Sequence, residues 1–198
     1  MTLKDFENFA TGNLCNAHPE VKALDPTIRP LLKDTPIAGR ARTVRIEPGQ
    51  NAAIHRAVHN AAPGDLLVVD GGGSQRFGPF GDILAAACQA KGIVGAVFNC
   101  TVRDSTDINQ LGFQLFSTGF HPEATAKEVP GDIDIPIRIG AIDIQPGDIV
   151  VGDNDGVVVF AADIAPDVLQ RAKAVLRRED EIRDRLRAGE TTLEIFNL

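Results

Sequence analysis

The spacing of apolar positions changes period several times along the chain, and each change marks an element. Leu3, Phe6 and Phe9 recur at helical spacing in a first stretch, residues 1–24, that is otherwise polar. Pro26, Pro30 and Pro36 interrupt Asp25–Pro36, which reads as a connector leading into a strand. Over Ala38–Ile46 one face carries Ala41, Thr43 and Arg45 and the other Arg42, Val44 and Ile46, the alternation of a strand. Ile54, Val58 and Ala61 return to helical spacing within Asn51–Ala62, and Pro63-Gly64 stops that helix. Asp65–Asp70 (DLLVVD) is a continuous apolar run, as expected of a strand covered on both faces.

The central stretch is Gly81–Asp104, GDILAAACQAKGIVGAVFNCTVRD. It predicts a helix opening at Gly81-Asp82 and closing at Gly92, then a buried strand over Ile93–Phe98 that runs out into Arg103-Asp104. If the helix doubles back onto the strand, its start and the strand's end meet at one place. Gly112–Ser117 and Val129–Ile144 supply further short strands, with Pro130, Pro136 and Pro146 at turns or edges. Gly147–Gly152 and Gly156–Ala161 form a hairpin through Asp153-Asn154-Asp155. Asp163–Ala188 is the longest helical pattern, with Pro166 near its start and Gly189 at its end. The sum is an α/β domain with a mixed sheet and a C-terminal helix. No linker divides residues 1–198; the core is expected over 38–162 and the last helix over 163–188.

Composition narrows the partners. A formal charge of −7 and the lack of a basic stripe argue against nucleic acid. There is no apolar run of the ~20 residues a membrane span needs and no signal peptide, so a cytoplasmic protein is expected. Cys15, Cys88 and Cys100 lack metal-ligand spacing, and the last two sit in apolar runs as inert thiols. Gly71-Gly72-Gly73 fails the dinucleotide fingerprint, because a G-x-G-x-x-G frame from Gly71 ends on Arg76; a turn allowing close backbone approach is the expectation.

Two features of the central stretch carry chemistry. First-turn amides of a helix lack intrahelical acceptors and sit at the positive end of the macrodipole, so those of Asp82, Ile83 and Leu84 suit a carboxylate. Asp82 is also a good N-cap. Such a cap beside a bound anion calls for a cation between them. Asp104 offers oxygen ligation to Mg²⁺ or Mn²⁺, and Arg103 a planar fork for a substrate carboxylate. Both also have an ordinary reading, as a surface Arg and a turn Asp.

With its preceding PGDLLVVD, its later PGDIVVGDNDGVVV and the final AGE…EIF, the chain resembles the RraA-like family over roughly residues 38–196. Within that family it is most similar to the 4-hydroxy-4-methyl-2-oxoglutarate/4-carboxy-4-hydroxy-2-oxoadipate aldolases, whose signature reads close to G-x-L-L-A-x-x-A-x-x-x-G, an apolar strand and V-R-D. The resemblance implies a swivelling β/β/α fold and a homotrimer or hexamer with its site between subunits. It implies Asp104 as direct ligand of a divalent metal, with Asp82 holding the metal's waters. It further implies Arg103 gripping substrate at Gly81–Leu84, the amides of Ile83 and Leu84 receiving a pyruvyl carboxylate, and a Glu sent across the interface by the C-terminal helix. Asn99-Cys100-Thr101 departs from the more usual D-G-A before V-R-D, which bears on the substrate's identity.

That Glu has a handle in the pattern. Val168, Ala172, Val175, Ile182 and Leu186 form an apolar stripe in which Glu179 falls, whereas Glu181 lies off it. A carboxylate in such a stripe needs a partner, either a neighbour's metal waters or Arg183 four residues on. His55 and His59 lie on one helix face without an HExxH frame. His121, before Pro122, falls in a loop near the sheet end, where substrate would lie.

No lysine interrupts an apolar strand, so a metal rather than a Schiff base is expected to stabilise the enolate. The expected activity is a class II type C–C lyase. It would cleave a 4-hydroxy-2-oxo di- or tricarboxylic acid, a small anionic 2-oxo acid, to pyruvate and an oxo acid. Arg103, Asp82 and Glu179 would act in catalysis, with oxaloacetate decarboxylation as a side activity. The alternative is a non-catalytic regulator of ribonuclease acting by protein contact, as some family members do.

Overall fold

The computed structural model describes residues 2–198. A 3-10 helix at Leu3–Asn8 precedes α1 (Thr11–Ala17), β1 (Lys22–Ala23), β2 (Arg29–Pro30), β3 (Ile37–Arg45), α2 (Ala52–Asn60) and β4 (Asp65–Asp70). Next come α3 (Asp82–Lys91), β5 (Gly95–Phe98), α4 (Ser105–Leu111), β6 (Leu115–Ser117) and β7 (Asp132–Ile133). The chain closes with β8 (Ile137–Ile139), β9 (Ile142–Ile144), β10 (Ile149–Gly152), β11 (Val157–Phe160), α5 (Ala165–Arg187) and α6 (Thr192–Phe196).

Most strands join one mixed sheet in the order β1-β11-β10-β3-β4-β5-β6-β2, with β7 added at the end of β3. Strands β3 to β6 are parallel, and each parallel step is made by a crossover helix, α2, α3 or α4. The flanks are antiparallel. Period-two alternation sorts the side chains onto two faces. From β3 and β4, Val44, Leu67 and Val69 pack under α2–α4, while Ala41, Leu66 and Val68 face the separate β8–β9 hairpin through Ile137, Ile139 and Ile144. Ala38, Ile149 and Val151 lie beneath α1 and the first half of α5. The layers are therefore hairpin, sheet and helices, the β/β/α arrangement expected. Each buried Leu or Phe in them contributes roughly 1.5–3 kcal/mol.

Several expectations shift. Ser105–Leu111, unassigned from sequence, is helical: Ile108 is buried and Gly112 ends the helix in the left-handed region at φ 67°. Gly71, as expected of a close backbone approach, packs so tightly that a Cβ there would lie 2.5 Å from Cys100 Sγ. The apolar stripe of α5 is buried only at Val168 and Ala172, and by Leu186 it is 39% exposed. The second half of α5 has outrun the sheet it packs on.

Candidate active site

Parallel strands bring their C-terminal ends to one edge, and in open α/β sheets ligands bind at that edge. There β4 leads through Gly71–Gly81 into α3, and β5 leads through Asn99–Asp104 into α4. The two helix starts meet. Arg103 donates its amide to Phe80 O at 2.9 Å, and the Asp82 amide points at Asp104 Oδ2 from 3.4 Å.

Asp82 is not the N-cap. Gly81 takes that place with extended backbone, and Asp82 is the first helical residue. The reason is steric: a Cβ on residue 81 would lie 2.2 Å from Asp104 Oδ2. Glycine lets the Asp104 carboxylate come up against the opening of α3. Behind it, a Cβ at Gly78 would meet His121 O at 2.6 Å and Arg103 Cβ at 2.7 Å, so the Arg103 stem rests on bare backbone.

Asp104 has φ 58°, a left-handed conformation costly for a residue with a side chain, although Asp is among the least disfavoured there. It sits at the N-cap of α4, yet its carboxylate caps nothing in that helix. Instead Oδ2 lies 3.3 Å from Arg103 Nε, with the two side chains 31% and 38% exposed. An ion pair this open contributes about 0–1 kcal/mol, too little to account for a strained backbone. The strain serves placement of the carboxylate.

Beside these groups lies a cavity of about 200 Å³ lined by Asn51, His55, Gly78, Pro79, Gly81–Leu84, Arg103 and Lys127. It brings together Gly81, Asp82, Ile83, Leu84 and Arg103, as the sequence suggested, and adds Asn51 and Lys127, which sequence reasoning passed over, and His55, which it had read only as part of a polar helix face. Asn51 is buried; its Nδ2 donates to Pro79 O at 3.0 Å, while its Oδ1 has no partner. His55 lies on α2 at the edge of this cavity. Burial, and secondarily the Lys127 charge, lower its pKa below the usual 6.5. Lys127 arrives through an isolated bridge between Gln50 and Ala126 that no local pattern announces. A second cavity, of about 220 Å³, is lined by Arg103, Asp104, Phe120, His121 and Pro122.

Among the described residues, no three His, Cys, Asp or Glu side chains form a ligand cluster. Of the acidic groups at the two helix starts, Asp82 and Asp104 line the cavities, whereas Asp107 in the first turn of α4 lines neither. So small an all-oxygen set fits a hard cation that keeps most of its water, Mg²⁺ or Mn²⁺, and not zinc. Glu179 lines neither cavity within its own chain. Its oxygens accept from Asn13 Nδ2 at 2.8 Å and Arg183 Nη2 at 2.9 Å, so inside one chain Arg183 is its partner. Cys88 and Cys100 are inert as expected, both thiols pushed up to about 12 by burial.

Comparison with known proteins shows what the chain is similar to. The profile of the RraA-like family, described as Aldolase/RraA, matches residues 11–159. A Halalkalibacterium halodurans protein, provisionally named a 4-hydroxy-4-methyl-2-oxoglutarate aldolase, is 34% identical over 183 residues, 92% of this chain and 87% of that one. A 4-hydroxy-4-methyl-2-oxoglutarate aldolase of Thermus thermophilus is 31% identical over 150 residues, 76% of this chain and 91% of its own. The solved structure of the RNA-processing inhibitor RraA from Thermus thermophilus superposes with a TM-score of 0.72 at 30% identity, covering 77% of this chain and 92% of that one.

Proposed function

Since this chain belongs to the RraA-like family, we propose that it is a C–C lyase that cleaves a 4-hydroxy-2-oxo di- or tricarboxylic acid to pyruvate and an oxo acid. The observation that carries this reading is Asp104 in a left-handed conformation, its carboxylate at the glycine-capped start of α3 and Arg103 beside it. That arrangement supports the reading by gathering a carboxylate, a guanidinium fork and first-turn helix amides around one point.

In this reading the amides of Ile83 and Leu84 receive the pyruvyl carboxylate, with Gly81 and Asp82 forming the floor of that seat. Arg103 grips the carboxylate and the 2-oxo oxygen, and Lys127 adds positive charge to the cavity. Asp104 is assigned as direct ligand of Mg²⁺ or Mn²⁺, with Asp82, and Glu179 of a neighbouring subunit, holding its waters. A bound divalent cation supplies the positive charge that makes an enolate accessible without a Schiff base. The C4 hydroxyl gives its proton to Asp82 or Glu179 through an intervening water, and its oxygen becomes the carbonyl of the departing oxo acid. The C3–C4 bond breaks, its electrons pass to the pyruvyl half, and protonation of C3 completes pyruvate. Oxaloacetate, which leaves the same half on losing carbon dioxide, is expected to be decarboxylated. The whole of 1–198 acts as one domain, a homotrimer or hexamer in which the helix over 163–188 bridges subunits.

The test is pyruvate release from oxaloacetate and from 4-hydroxy-4-methyl-2-oxoglutarate, with Mg²⁺ or Mn²⁺ and again with EDTA. Metal-dependent turnover is expected. Asp104→Ala and Arg103→Ala should each lower it by about 100-fold or more while the oligomer persists. Full activity in either variant would sink the assignment. The second reading, a regulator of ribonuclease acting by protein contact, is favoured by the likeness to the RNA-processing inhibitor. It predicts no turnover with either metal, together with inhibition of ribonuclease by the wild-type chain.

A further inference from the structure

Arg103 is the wall between two cavities of nearly equal size, about 200 and 220 Å³. The first contains the α3 amides, His55 and Lys127, which suit an anion, together with the Asp82 carboxylate. The second combines Asp104 and Arg103 with Phe120, His121 and Pro122. A parallel bridge between Val102 and Phe120 places these last three residues. Val102 N donates to Gly119 O at 3.0 Å and His121 N to Val102 O at 2.8 Å, so the segment runs directly beside Arg103 and Asp104.

Two side chains there keep a group that the fold does not use. Phe120 is 52% exposed, a large apolar ring left in water next to an ion pair. His121 Nδ1 accepts from the Glu123 amide at 3.2 Å. In the neutral ring the proton is then on Nε2, and among the described residues no acceptor takes it.

We propose that the second cavity receives the departing half of the substrate, and that Phe120 and His121 select its chemistry: a methyl-sized apolar group and a carboxylate on the carbinol carbon. The inference rests on the lyase reading above. Cleavage produces two fragments, and each needs a seat on its own side of the residue that grips the substrate. Phe120 and Pro122 form an apolar wall that rewards an alkyl substituent, while His121 Nε2–H and the Arg103 fork offer donors to the carboxylate. A carboxymethyl substituent in the same place would be desolvated against the Phe120 ring, with Arg103 already engaged. Such mismatches are worth about tenfold or more in kcat/KM.

The experiment compares kcat/KM of the 198-residue chain, with Mg²⁺, for three substrates. These are 4-hydroxy-4-methyl-2-oxoglutarate, 4-carboxy-4-hydroxy-2-oxoadipate and oxaloacetate, whose departing half is only carbon dioxide. The wild type is expected to prefer the methyl compound over the carboxymethyl one by about tenfold. Phe120→Lys should narrow or invert that preference. His121→Leu should cost both C–C substrates about tenfold with a distinctly smaller loss on oxaloacetate, and His121→Gln, which keeps a donor, should recover part of it. The ratio between substrates is the readout, since a damaged fold lowers all three together. An unchanged preference in Phe120→Lys, or parallel losses on all three substrates in His121→Leu, overturns the inference and leaves the lyase reading standing. No pyruvate from any substrate removes both.

Discussion

At the scale of single residues, the site depends on where a side chain is missing as much as on where one is present. Gly81 has no positive φ, so Ala is conformationally acceptable there; the obstacle is the Asp104 carboxylate 2.2 Å from the added Cβ. Gly81→Ala is therefore expected to displace that carboxylate and lower kcat/KM by about 100-fold, the scale of a misplacement near 1 Å, with little change in melting temperature. Steady-state kinetics beside a thermal melt checks both halves. His55 makes a prediction of opposite character. Its pKa is depressed in the folded chain, first by burial and then by Lys127, so the unfolded chain binds that proton more readily. This group's contribution to stability is present above pH 6.5 and is lost as pH falls through the lower folded value. Lys127→Met should raise the His55 pKa toward 6.5, measurable by NMR titration of the ring. A fall, or no movement, would contradict the electrostatic coupling.

At the scale of elements, α5 is the helix whose apolar pattern exceeds what its own chain covers. Val168, Leu169 and Ala172 are buried, whereas Leu186 is 39% exposed, and α6 beyond it exposes Leu193 at 61% and Phe196 at 46%. An apolar stripe continuing past the sheet suits contact between subunits, the role proposed for this helix. Removal of residues 177–198 is expected to lower the oligomeric state, read by light scattering after size exclusion, and to reduce turnover through loss of Glu179. An unchanged assembly would place the interface elsewhere.

At the scale of the whole molecule, the fold holds the site by locking the antiparallel flank onto the parallel core. Gly152, in β10, leaves room for the Phe116 ring from β6; an added Cβ would lie 2.5 Å from it. Phe116 is fully buried, so neither side has space to yield. Gly152→Ala should destabilise the protein by about 1–3 kcal/mol, as overpacking does, seen as a lower denaturant midpoint with unchanged m-value.

The strands of the parallel core were legible in the sequence because their signal is local. Asp65–Asp70 carries four consecutive apolar residues, Leu66–Val69, out of contact with water, and its bounds in the structure are those read from the pattern. The helix Asp82–Lys91 and its stop at Gly92 were legible for the same reason: turn glycines and apolar runs act on their neighbours. The meeting of Arg103-Asp104 with the start of that helix was a conditional expectation that the parallel crossover fulfils. Helix α4 was not, since seven residues with one buried position, Ile108, carry too little periodicity. The replacement of Asp82 by Gly81 as cap was also hidden, because the reason is a carboxylate 23 residues later in the chain. Asn51, His55 and Lys127 are unremarkable residues in their local context, and only tertiary contacts bring them to one cavity. The sequence alone determined the elements and the residues able to do chemistry, through short-range sterics and hydrophobic spacing. The tertiary structure alone decided which of them share a cavity, because packing joins positions whose separation along the chain leaves no periodic trace.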